Sequence, residues 1–322
     1  MPESFCRTVL LAITLLGLAA GSTVAQAAPG RPLILLVHGR GQFGRDTAQV
    51  RREAASAIQR SIRALGGDPL IADDDVRLVW YADVLDGHST DDARDACSAG
   101  ITRGAVTTRD TTLNAITMLA SLASAFLDVA SADATGDESN ELRSIAGDLR
   151  FFGRPAIRCA AEARVGDALA RAQAEHRPVI LVSHSLGALV SWRYLSRPSA
   201  AAPTPQIARW ITLGSPLGAA EVRQLIFDDS ADQLAVPATV GSWVNVLGAG
   251  DGIAMSIMRD GSVDTSRTAR MSEVKTEASH AEPHLLASYL SDPATVRALV
   301  GGWCDALGSS GRDMAVCKPV HR

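Results

Sequence analysis

The stretch VILVSHSLGALVSW, residues 179–192, passes from apolar residues into a polar break and back into apolar residues. Polar side chains in such a place cost desolvation unless something uses them. Ser185 has a possible use. A serine hydroxyl becomes a nucleophile once a base takes its proton. It reaches a substrate when it sits on a sharp turn from strand into helix, with small residues two before and two after, because strand and helix pass close together there. Ser183-His184-Ser185-Leu186-Gly187 fits this G-x-S-x-G pattern, with serine in place of the first glycine. The plainer alternative is that Ser185 only caps the helix. An apolar strand before it and an Ala- and Leu-rich helix after it favour the nucleophile.

Three stretches resemble the α/β-hydrolase superfamily, and within it the secreted lipase- and esterase-like serine hydrolases. LVHGRG at 36–41 resembles the His-Gly oxyanion loop, VSHSLGA at 182–188 the nucleophile elbow, and ITLGSPLG at 211–218 the strand after the elbow in lipase-like members. The likeness covers roughly residues 32–300. It implies an α/β fold with a mostly parallel sheet, helices on both faces and a helical cap insertion. It implies no cofactor or metal. It also implies that the helpers follow in the order Ser, acid, His.

On that order the acid is Asp251, in LGAGDGIA after an apolar strand, where glycines let the chain turn. Asp228 and Asp229 are reserves, and an ordinary turn Asp is the bland alternative. His284 opens an apolar helical pattern, and a His before a helix with a following Tyr-Leu pair (Tyr289, Leu290) looks like the general base of many members. His280, closer to the end of the preceding strand, is the alternative base. The oxyanion donors implied are the backbone N–H groups of Leu186 and Arg40, with Gly41 as fallback. His38 is expected to structure the oxyanion loop, and His184 to occupy the elbow's variable position.

Elements must position these residues. Apolar runs at 32–39, 76–83, 177–184, 207–216 and 241–248 read as strands, with a weaker one at 272–276. Helical spacing appears at 46–65, 156–174, 185–196 and 284–300. Such alternation predicts a parallel sheet covered on both faces. Residues 86–154 break the rhythm. Within them, 111–126 carry no charge, although Thr, Asn and Ser recur. That pattern predicts a cap helix over a pocket; a buried core helix and a membrane span are the alternatives.

Composition sets the outer bounds. The 322 residues are 47% hydrophobic and 20% charged, with a net charge of −4, so no basic excess points to nucleic acid. Residues 1–27 read as an export signal: Arg7, an apolar core at 9–20, and Ala25-Gln26-Ala27 for cleavage. The remainder, 28–322, is expected to be one domain, periplasmic or extracellular, with no stable membrane span. Removal of the signal takes Cys6 and leaves Cys97, Cys159, Cys304 and Cys317, read as the disulfides Cys97–Cys159 and Cys304–Cys317. The function expected is a secreted serine hydrolase acting on a small-molecule or lipid ester through an acyl-enzyme. An acyltransferase, amidase or peptidase on the same fold, or a binding protein that keeps the fold, are the alternatives.

Overall fold

The computed structural model describes residues 30–66, 70–87, 138–196, 207–220, 222–223, 234–258, 270–279, 281–308 and 317. Six parallel strands form one sheet: β1 (Leu33–Val37), β2 (Val76–Val79), β3 (Val179–His184), β4 (Ile207–Leu213), β5 (Val240–Ala249) and β6 (Met271–Ser279). Their order is β2-β1-β3-β4-β5-β6, and every pairing is parallel. The expected α/β class with a parallel sheet is therefore present.

Both faces of the sheet are covered, as its sequence requires. In β1, Leu33, Leu35 and Val37 enter one core and Ile34 and Leu36 the other. This is the period-two alternation of a strand buried on both sides. The first core is closed by α2 (Ala82–Leu85), α3 (Glu138–Gly153), α4 (Pro155–Ala174) and α5 (Leu186–Ser196). The second is closed by α1 (Thr47–Ala64), α6 (Leu286–Ser291) and α7 (Pro293–Leu307). Asp46 starts α1 by accepting from the N–H groups of Ala48 and Gln49.

Three departures from the expected limits bear on the site. β2 stops at Val79 rather than 83, because the Tyr81 N–H donates to His38 Nε2 at 3.1 Å and leaves the ladder. β6 extends over nine residues where only 272–276 reads as strand. It is an edge strand, where polar residues such as Glu273 and Lys275 are tolerated. The expected helix 284–300 is two helices. Asp292, ahead of Pro293, is held extended at φ −82°, ψ 134°, as a residue before proline prefers. Its carboxylate then caps α7 through the Ala294 N–H and accepts from the Glu277 N–H of β6.

Within the 86–154 segment, α3 is built into the main core: Phe151 is fully buried and Phe152 is 9% exposed. The uncharged run 111–126, the signal residues 1–27 and Cys97 lie outside the described residues. Cys304 and Cys317 form a disulfide, and Cys159 is disulfide-bonded. Closing a loop of 13 residues in this way is worth about 3 kcal/mol. The Cys304–Cys317 disulfide is consistent with export. Among the described residues no helix is long and apolar enough to cross a membrane.

Candidate active site

In a doubly wound sheet, ligands bind outside the carboxyl ends of the strands where the strand order reverses. Here the order reverses between β1 and β3. Ser185 follows the last residue of β3, and Gly39 and Arg40 follow β1.

Ser185 has φ +52°, a left-handed conformation that costs a non-glycine residue about 1–2 kcal/mol. Its N–H is pinned to the Leu213 carbonyl at the end of β4, 2.9 Å away. The turn needs small neighbours for a visible reason. A Cβ on Gly187 would lie 2.4 Å from the His38 carbonyl oxygen, so α5 could not pass β1. Ser183 does more than fit. Its buried hydroxyl pairs with Ser191 Oγ at 2.8 Å and accepts from Trp210 Nε1 at 3.0 Å.

The structure brings Ser185, His284 and Asp251 together from three separate loops. Ser185 Oγ is 2.9 Å from His284 Nε2, and His284 Nδ1 is 2.8 Å from Asp251 Oδ2. Asp251 is buried, and burial pushes its carboxyl up. Hydrogen bonds from His284, Tyr289 and the Ile253 N–H outweigh that and hold it below its ordinary range. It is therefore an ionised acceptor, so the hydrogen sits on Nδ1 and the Nε2 lone pair faces the serine hydroxyl. The alternative base His280 and the reserve acids Asp228 and Asp229 lie outside the described residues.

Two neighbours that the sequence leaves without this role complete the arrangement. The Tyr289 hydroxyl donates to Asp251 Oδ2 at 2.5 Å and accepts from the Gly248 N–H at 2.9 Å. Its place in the Tyr-Leu pair after His284 was the available signal; the bond itself depends on the meeting of α6 with the β5 end. His184 is buried beside His284, and its Nε2 lies 2.8 Å from the His284 backbone carbonyl, to which it donates. Burial, and then the nearby His284, lower the His184 pKa to about 3, so its ring is neutral.

The loop after β1 lies against Ser185. A Cβ on Gly39 would be 2.7 Å from His184 Nδ1 and 3.0 Å from Ser185 Cβ. His38 holds this loop, as expected. Its Nε2 accepts from the Tyr81 N–H, so its Nδ1 donates to the Gly39 carbonyl at 2.6 Å, while its own carbonyl accepts from the Tyr81 hydroxyl at 2.7 Å. Burial lowers the His38 pKa to about 4, which keeps this ring neutral too. Leu186 opens α5, where an N–H has no carbonyl within the helix to serve. Among the described residues no group of His, Cys, Asp and Glu is placed to hold a metal ion.

Chemically, this is a hydroxyl against an imidazole nitrogen that can take its proton, with a buried carboxylate behind the imidazole and a glycine loop alongside. No family model, no curated protein and no solved structure matches the chain.

Proposed function

We propose that the chain is a secreted serine hydrolase with an α/β-hydrolase fold that cleaves carboxylic esters through an acyl-enzyme. The observation that carries this is the relay Ser185 Oγ–His284 Nε2, His284 Nδ1–Asp251 Oδ2, at 2.9 and 2.8 Å. The strained elbow supports it, since left-handed strain of this kind concentrates at functional sites.

In this reading Ser185 Oγ attacks the acyl carbon as its proton passes to His284 Nε2. The imidazolium is stabilised by Asp251, which stays ionised. The carbonyl oxygen gains the electron pair and is met by the N–H groups of Leu186 and Arg40. The intermediate collapses, the proton on Nε2 passes to the leaving alcohol, and the acyl group remains on Ser185. Water then attacks the acyl carbon as one of its protons passes to Nε2; the second intermediate collapses, the bond to Ser185 Oγ breaks, and Nε2 returns the proton to Oγ as the acid leaves. Esters are the least demanding acyl substrates, which is why they are named first.

The test is labelling with a fluorophosphonate, which needs an activated serine, together with an acyl-chain series of p-nitrophenyl esters. Wild type should label and turn over, and Ser185→Ala should do neither. Loss of a triad member commonly costs about 10⁴-fold or more in rate. A wild-type protein that neither labels nor hydrolyses any ester in the series refutes the reading.

A further inference from the structure

Helix α3 touches the loop after β1 at two successive residues. At Gly147 the Phe43 ring comes so close that a Cβ would lie 2.9 Å from its Cζ. At Asp148 the carboxylate pairs with the Arg40 guanidinium, Oδ2 to Nε 3.4 Å, with both side chains largely buried. The helix is itself anchored by Phe151 and Phe152 in the core. On its other side the loop rests on Ser185 through Gly39. It is therefore held between the elbow and α3.

Among the described residues, the second carboxylate oxygen of Asp148, Oδ1, is buried and has no hydrogen-bond partner. The charged groups around Asp148 are otherwise engaged. Arg150 of α3 donates to the Leu85 carbonyl and approaches Asp86. On α4, Arg158 donates to the Phe151 and Phe152 carbonyls, Glu162 pairs with Arg193, and Arg164 takes Asp83 of α2. Tyr81 gives its hydroxyl hydrogen to the His38 carbonyl. Among the described residues Arg40 is the cation that faces Asp148.

We infer that Asp148 is a positioning residue which, through Arg40, keeps the loop at 39–43 set so that its backbone N–H meets the substrate's carbonyl oxygen, and that it does so only while ionised. This rests on the hydrolase reading above. Burial raises the Asp148 pKa to about 6, with Arg40 opposing, so the pair is intact above that pH and weakens below it.

The test compares wild type with Asp148→Asn and Arg40→Gln on p-nitrophenyl butyrate from pH 5 to 9, and follows amide hydrogen exchange over 39–43. At pH 8, Asp148→Asn should lower kcat about tenfold, a fraction of the 10²–10³ lost when an oxyanion donor is removed outright, with KM within about twofold. The ratio of wild-type to variant kcat should fall toward one below pH 6, where protonated Asp148 behaves like Asn; taking the ratio cancels the titration of the base. Exchange at 39–43 should be faster in the variant at pH 8. Arg40→Gln should show the same loss, and the double variant no more than either alone; it also carries the test if Asp148→Asn fails to fold. A ratio that is near one at pH 8, or constant across the range, or unchanged exchange, overturns the inference. Wild type that hydrolyses nothing overturns the hydrolase reading instead.

Discussion

The Tyr289 hydroxyl and Asp251 share a 2.5 Å hydrogen bond, directed at the same carboxylate oxygen that accepts His284 Nδ1–H. Two donors on one oxygen fix the carboxylate's rotation and, through it, the imidazole's. Tyr289→Phe should lower kcat about tenfold with KM nearly unchanged, since about 1.4 kcal/mol of misorientation is a tenfold rate loss. It also removes the partner of the Gly248 N–H and should cost about 1–3 kcal/mol of stability. A carboxyl held below its ordinary range stabilises the fold above its unfolded pKa and stops doing so as pH falls through its folded pKa. Without Tyr289 the folded pKa rises, so the variant should lose this contribution at a higher pH than wild type. Ester kinetics and urea unfolding at several pH values check both parts.

The left-handed φ of Ser185 makes a separate prediction. Ser185→Ala keeps the strain and Ser185→Gly releases it. Both should be inactive, but the glycine variant should be more stable than the alanine variant by about 1 kcal/mol. Equal unfolding midpoints would mean that the turn relaxes when the hydroxyl is gone.

Ser183 stands where the elbow pattern has glycine, and its hydroxyl serves Trp210 and Ser191. Ser183→Gly should therefore destabilise by about 1–3 kcal/mol, since the indole N–H is left buried without an acceptor. Its cost in kcat should be far smaller than that of Ser185→Ala. Chemical denaturation and ester turnover of the same preparation separate the two effects.

Asp148 should leave a mark on stability as well as on rate. Its folded pKa of about 6 lies above the ordinary 3.8, so the ionised carboxyl costs stability at pH 8, and the cost is relieved as pH falls through 6 toward the ordinary value. At 1.36 kcal/mol per unit, about two units amount to roughly 3 kcal/mol. Asp148→Asn lacks this titration. Its stability relative to wild type should fall by up to about that amount between pH 8 and pH 4, as read from urea unfolding. A difference constant with pH would mean that Asp148 titrates as an ordinary carboxyl.

The strands were legible where burial is two-sided. β1 and β3 are continuous apolar runs because both faces meet helices, and no other element fits that pattern at such length. β6 was faint because it lies at the edge and is rich in polar residues, one of which, Glu273, accepts from Asn245, Ser256 and the Ile257 N–H to hold the Asp251 loop. The split at Asp292 was visible in Pro293 but hidden by the apolar spacing on either side. Ser185, Asp251 and His284 could be read because each ends or follows a recognisable element. The contacts that Tyr289 and Asp148 make could not: a hydrogen bond across 38 positions, or an ion pair between a helix and a distant loop, leaves no periodicity in the chain.

His184 closes a ring. Its backbone runs into Ser185, its imidazole grips the His284 carbonyl, and the His284 imidazole returns to Ser185. A ring has no free end. It ties the segment that carries His284 to the residue next to Ser185, at both its backbone and its side chain. In the proposed reaction, the variable position of the elbow would be the pin that joins the base to the serine. A graft of Ser185, Asp251 and His284 into another scaffold without His184 would carry over the chemistry but lose the coupling that keeps it in register.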